Sequence, residues 1–337
     1  MDWLAYGAAI VLFTALTVYA LSGGADFGGG VWDLLAQGSR AAAQRQTIAH
    51  AIGPIWETNH VWMILAVVVM FTGFPRVFEA VSVTLHIPIT LALIGIVLRG
   101  SAFAFRSFDA PGGVYRRRWS YTFAAASVVT PLLLGMVVGA VASGQIRLDP
   151  ATGRVAPEFF RSWLAPFPIA VGVFAVALFA FLAAVYLTLE TDDRALQEDF
   201  RIRALGAAVV VGILALACLL LSRQGAPLIR AGLASQPWSL PFHALTGIAA
   251  VSAMVALWQR RYRWARRFAM AQVVLILWGW ALAQAPYLVV PDYTIINAAA
   301  APKVLATLLI VLGCGAVLLV PALWYLFTLF KRPSTNA

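Results

Sequence analysis

Two acids, a histidine and an arginine lie inside apolar stretches, where ionisable side chains are expensive. Asp26 belongs to Leu21-Ser22-Gly23-Gly24-Ala25-Asp26-Phe27-Gly28-Gly29-Gly30. Glu57 and His60 belong to His50-Ala51-Ile52-Gly53-Pro54-Ile55-Trp56-Glu57-Thr58-Asn59-His60-Val61-Trp62, and Arg99 closes a later apolar run. An ionised carboxylate deep in a bilayer costs on the order of 3 kcal/mol by insertion scales, so each acid needs a partner, water or a proton. Two chemistries fit. Intramembrane acids and histidines mark proton relays, whereas a satisfied ion pair would only fix helix register. Spacing leaves both open.

The elements that must position these groups are helices in a membrane. Of 337 residues, 62% are apolar and 11% charged, against about a quarter charged in a soluble domain. Nine apolar runs predict nine transmembrane helices, at about 3–24, 56–74, 77–98, 121–142, 167–189, 204–221, 241–258, 265–285 and 303–330. Irregular backbone cannot face lipid, so each run should be helical. Gly73-Phe74-Pro75-Arg76 reads as a tight turn between the second and third helices. The expectation is a single transmembrane domain over 1–337, all-α, with helices 1–4 over about 3–142 and helices 5–9 over about 167–330. Two four-helix bundles with one peripheral helix would suit that spacing. The opening Met1-Asp2-Trp3-Leu4-Ala5-Tyr6 lacks the basic region of a signal peptide, so the first run is expected to remain as a helix.

With the N-terminus outside, 17 of the 24 Lys and Arg residues fall in inner loops and seven in outer ones. The excess predicts a periplasmic N-terminus and a cytoplasmic C-terminus. The same placement explains the net charge of +10 without any nucleic-acid partner. Trp3, Trp56, Trp119, Trp163, Trp238, Trp264 and Trp324 fall near predicted helix ends, where indole edges stay wet.

In this frame Pro54 starts the second helix, Glu57 follows in an early turn, and His60 shares its face three residues on. The first two helices are antiparallel, so Asp26, near the inner end of the first, should meet Glu57 at similar depth, with Arg99 arriving there too. Five glycines between Gly23 and Gly30 would weaken a soluble helix but allow close approach in a membrane. His50 falls in an inner loop, and His60 and His86 fall at different depths, which disfavours a bis-His haem. Pro131 and Pro321 should kink their helices. Cys218 and Cys314 read as small buried hydrophobes.

These motifs resemble subunit II of the cytochrome bd family of quinol oxidases, including its cyanide-insensitive members. The resemblance is carried by Gly24-Ala25-Asp26-Phe27-Gly28 and by Gly53-Pro54-Ile55-Trp56-Glu57-Thr58-Asn59-His60-Val61-Trp62. It continues in Phe74-Pro75 and in Leu98-Arg99-Gly100-Ser101-Ala102-Phe103-Ala104-Phe105-Arg106. The pattern formed by Gly53, Pro54, Trp56, the acid, Asn59 and Trp62 is specific, and Arg106 closes the later motif.

The resemblance implies a bacterial inner-membrane, multi-pass chain that carries no haem itself. Its partner would be a large subunit I holding haems b and d and the quinol-oxidising loop. A small accessory subunit, membrane lipid and a bound quinone are compatible with it. The complex would oxidise ubiquinol near the outer face and reduce dioxygen to water with cytoplasmic protons. This subunit would stabilise its partner and line part of the proton route. Asp26 and Glu57 match acids proposed for that route, with His60 and Arg99 beside them. Relatives often place an acid where this chain has Ala104, so a third carboxylate would have to be replaced by water, His60 or a partner residue. The rivals are a proton-coupled secondary transporter and a haem-bearing cytochrome in its own right.

Overall fold

A computed structural model describes residues 2–53, 56–108, 114–149, 155 and 159–330; within these, the side chains of 56–57, 107–108, 114–117, 324, 326–327 and 329–330 are outside the description. The chain is helical nearly throughout: α1 (Asp2–Leu34), α2 (Ala41–Ile52), α3 (Trp56–Gly73), α4 (Pro75–Thr84), α5 (His86–Phe108), α6 (Val114–Ser143), α7 (Pro166–Leu187), α8 (Arg194–Gly225), α9 (Pro227–Ser235), α10 (Ser239–Trp258), α11 (Tyr262–Gln284) and α12 (Pro302–Phe330). Eight helices among the described residues are long and apolar enough to span a bilayer, or nine if the bent pair α3–α4 counts as one span.

The expected helices are all present, with three corrections. The first does not stop near residue 24 but runs to Leu34. Asp26 therefore lies roughly two turns, about 12 Å, inside that end, not at it. The third helix begins at His86 rather than 77. Residues 75–84 form α4 instead, turned 116° from α3. Pro75 explains the break. It occupies the first turn of α4, where its missing N–H is not needed, and its ring cannot follow a helical Phe74. Hydropathy could not reveal this, because Val77, Ala80, Val81 and Thr84 are buried while Arg76 and Glu79 are exposed, so α4 lies as an amphipathic helix across one end. Third, His50 belongs to the helix α2 rather than a loop. Pro131 and Pro321 both lie within continuous helices.

The glycine run sets the packing of α1. A Cβ on Gly28 would collide with the backbone of Phe179 on α7, one on Gly29 would meet Ile52 of α2 at 2.8 Å, and one on Gly30 would overlap Ser127 of α6. Three neighbours thus press into one stretch of α1, α7 with its backbone and α2 and α6 with side chains, as small residues permit in a membrane. The Trp32 indole N–H adds a buried bond of 2.7 Å to the Ala180 carbonyl. One core joins α1 with α3–α6, α12 and the 288–298 segment, and a second joins it with α2, α5–α8, α10 and α11.

The two ends of the bundle are closed differently. At one, Arg40 holds Asp199 through two bonds of 2.8 and 2.5 Å; Arg203 reaches Gln44 at 2.7 Å, and Arg260 approaches Glu198 at 3.4 Å. At the other, strands β1 (Tyr287–Val289) and β2 (Tyr293–Thr294) pair antiparallel. Val290 N–H donates to the Val141 carbonyl, Ala300 N–H to that of Gly73, and Leu148 N–H to the Asp292 carboxylate. Loops assigned to one side by charge therefore meet at one end.

Candidate functional site

Asp26 is buried on α1. Its carboxylate accepts a hydrogen bond from the amide of Asn59, itself buried on α3. Asn59 stands near the start of α3 and Asp26 toward the end of α1, so antiparallel packing brings them level. Arg99 of α5 completes the cluster. Its guanidinium is fully enclosed, lies within electrostatic reach of Asp26 and Tyr19, and donates from Nε to Ser127 Oγ at 3.1 Å. Arg99 Nη2 has no hydrogen-bond partner among the described residues.

Aromatic faces replace water around that cation. The Arg99 guanidinium carbon lies 4.9 Å from the Phe27 ring centre and 5.1 Å from that of Phe123. Such contacts gain strength when desolvated, reaching about 2 kcal/mol. His60 joins from α3: its ring stacks obliquely on Tyr19 and meets Phe27 edge-on, and Nδ1 lies 3.5 Å from the Tyr19 hydroxyl. Asp26, Asn59, His60 and Arg99 thus form one polar cluster between α1, α3 and α5. The side chains of Trp56 and Glu57, and Pro54 as a whole, fall outside the described residues; the Trp56 and Glu57 backbones lie in the first turn of α3.

A second pair joins residues that the apolar runs alone do not single out. Arg106 contacts Asp33 across α5 and α1, Nη1 to Oδ2 at 3.5 Å, with both side chains largely buried. Its guanidinium also lies 4.4 Å from the Phe123 ring centre, the ring that Arg99 touches. The available signal is spacing. Asp26 and Asp33 are seven residues apart on α1, as are Arg99 and Arg106 on α5, and that interval returns to the same helix face. Arg45 of α2 covers this end, bonding the carbonyls of Asp33 and Ala36 at 3.3 and 3.0 Å. Ala104, by contrast, lies on an exposed face of α5.

His86 opens α5, bonds the Val83 carbonyl and packs on Phe159, far from the surroundings of His60. Among the described residues no group of three His, Cys, Asp or Glu side chains could hold a metal ion. Gly53 caps α2 through its N–H to the Ala49 carbonyl and lies beside Phe103 of α5. Trp62 is half-buried. A separate apolar cavity of about 280 Å³ opens between α7, α8, α10 and α11, with Phe174, Cys218, His243, Thr246 and Trp280 in its wall.

The family model of cytochrome bd terminal oxidase subunit II matches residues 4–330. Cytochrome bd-I ubiquinol oxidase subunit 2 of Escherichia coli K12 is 25% identical over 221 residues, covering 65% of this chain and 55% of the relative. The aligned part thus spans about half the length of that curated relative. A putative cytochrome bd menaquinol oxidase subunit II of Bacillus subtilis is 19% identical over 335 residues, 96% of this chain and 94% of its own. Among solved structures, the bd oxidase from Geobacillus thermodenitrificans shares the fold, with a TM-score of 0.77 at 22% identity over 97% of this chain and 98% of that one. The chain is a membrane-spanning member of the cytochrome bd terminal oxidase subunit II family.

Proposed function

We propose that this chain is the haem-free smaller subunit of a quinol oxidase in a bacterial inner membrane. In this reading it stabilises a haem-bearing large subunit and conducts protons from the cytoplasmic side toward dioxygen reduction. The Escherichia coli relative is named for ubiquinol and the Bacillus one for menaquinol; we take ubiquinol as the electron donor here. The haem chemistry belongs to the partner, and no step involving it passes through this chain.

One observation carries the proton role. Asp26 is buried in the bundle, yet it is held by the neutral amide of Asn59 and by the charge of an enclosed Arg99. A carboxylate in that setting can take up or release a proton without leaving its position, because Asn59 can donate to the anion or accept from the acid. His60 and the Tyr19 hydroxyl extend the polar surface away from the Arg40 end. That end carries the arginine-rich loops, so it faces the cytoplasm in this reading. A quinone bound in this chain would suit the apolar cavity beside His243, whose wall resembles ordinary ligand sites.

The test is Glu57→Ala together with Asp26→Asn in the purified complex. Oxygen consumption should fall while the visible haem spectrum keeps its intensity. Loss of assembled haem would favour a register-fixing ion pair instead, and unchanged turnover would remove the proton role. Haem bands that persist in the isolated chain would overturn the assignment of haem to the partner. Substrate uptake by that chain alone would favour a transporter.

A further inference from the structure

We propose that Asp33 is the outermost carboxylate of the proton route and passes protons to Asp26 by way of the Ser127 hydroxyl. The inference rests on the proposed role of Asp26 and adds the step that precedes it. Asp33 lies in the last turn of α1, under the roof made by Arg45 and α2. With 33 residues, α1 is about 50 Å long and exceeds the roughly 30 Å hydrocarbon core. Its final turn therefore reaches the headgroup level, where protons are available.

The alternative is that Asp33 only neutralises Arg106. Geometry argues against so limited a role. The exposed pair Arg40–Asp199 is joined by two short bonds, whereas the buried pair has one contact at 3.5 Å. Asp33 Oδ1 is buried and has no hydrogen-bond partner among the described residues. A bare carboxylate oxygen in such a place costs about 1–3 kcal/mol, and a proton taken up by the group removes its charge. Arg106 is placed to keep the deprotonated form accessible as well.

Between the two acids lies a built notch. Gly30 is on the same face of α1, four residues after Asp26 and three before Asp33. Because it has no side chain, the Ser127 hydroxyl occupies the space that a Cβ would fill. Asp26 and Asp33 are about 10.5 Å apart along the helix axis, with this hydroxyl between them. Ser127 accepts from Arg99 and donates to the Phe123 carbonyl at 2.7 Å. One hydroxyl cannot touch both acids at that separation, so a bridging water on each side completes the path. The Ser127 O–H turns from that carbonyl and releases its proton through one water to Asp26, and its oxygen takes the proton that Asp33 passes through the other. Asp33 is then reprotonated from the aqueous side. No electrons move.

The experiment uses the purified complex carrying Asp33→Asn, Asp33→Glu, Ser127→Ala or Asp26→Asn, with quinol-driven oxygen consumption, dye-reported proton uptake and the haem spectrum measured on each. Asp33→Asn and Ser127→Ala should each slow turnover and uptake about tenfold or more, within the range of a lost proton-transfer group. Haem should be retained, and Asp33→Glu should recover most of the rate. Full turnover in Asp33→Asn beside slow turnover in Asp26→Asn would overturn this inference and leave the proposed function standing. Full turnover in both variants and in Glu57→Ala would remove the proposed proton role of this chain with it. Equal loss of haem in Asp33→Asn and Asp33→Glu would assign Asp33 a structural role and overturn the relay.

Discussion

Asn59 donates its side-chain amide to the carboxylate of Asp26, and this bond ties α3 to α1 at the level of the enclosed Arg99. Asn59 is 1% exposed and Asp26 4%, so neither can exchange the bond for one to solvent. Asn59→Ala should destabilise the complex by about 1.5–3 kcal/mol, the usual worth of a hydrogen bond to a buried charged group. Thermal denaturation in detergent, followed by loss of haem absorbance, would register it as a lower midpoint. An unchanged midpoint would mean that the carboxylate finds another donor.

Arg99 offers a sharper test, because its charge and its shape can be separated. Arg99→Met leaves Asp26 without its nearby cation, and uncompensated buried charges cost about 3–5 kcal/mol. Little assembled complex should be recovered. Arg99→Lys keeps the charge but loses the planar group lying against Phe27 and Phe123, so assembly should survive with reduced oxygen consumption. Adding Asp26→Asn to Arg99→Met should restore part of the yield. If the double variant assembles no better than Arg99→Met alone, the two residues are not energetically coupled.

The sequence makes the helices and the shared level of Asp26 and Arg99 legible for a simple reason, while the Asn59 bond to Asp26 carries no signal of its own in the motif. Apolar runs define spans, and antiparallel neighbours place residues near their facing ends at one depth. It conceals features whose cause is three-dimensional. The break at Gly73-Phe74-Pro75-Arg76 is legible as a turn, but the separation of α4 from α5 is hidden, because the apolar run continues from Val77 through Leu85 into α5. Asp33 falls beyond the predicted first helix because the apolar run ends near residue 24, whereas the glycines that follow stay helical with α2, α6 and α7 packed directly against them. Ser127 carries no signal by itself; only the absence of a side chain at Gly30 gives its hydroxyl a place beside α1.

That packing makes a quantitative expectation about glycine. In Gly28→Ala the new methyl would strike the Phe179 carbonyl, which is backbone and cannot swing aside. Overpacking of this kind costs about 1–3 kcal/mol, and more where helices must separate. The yield of haem-containing complex should fall. Gly206 and Gly212 on α8 have nothing within 4 Å of where an alanine methyl would sit, so alanine there should be neutral or stabilising by up to about 1 kcal/mol. Equal sensitivity at Gly28 and Gly212 would refute close α1–α7 contact as the reason for the glycine run.

Orientation decides whether the Arg45-covered end can draw protons from the cytoplasm, and it can be measured directly. Arg147 at one end is paired only loosely with Asp292, at 3.6 Å, and is well exposed; Arg261 at the other lies in the exposed turn between α10 and α11. With Cys218 and Cys314 replaced by serine, single Arg147→Cys and Arg261→Cys variants give each end one thiol. A membrane-impermeant maleimide should label Arg147→Cys in intact spheroplasts and Arg261→Cys only in inverted vesicles, because the arginine-rich loops are held inside. The reverse pattern would put Asp33 and the Arg40–Asp199 pair on the periplasmic side. Cytoplasmic proton uptake through Asp26 would then have no route along this end of α1.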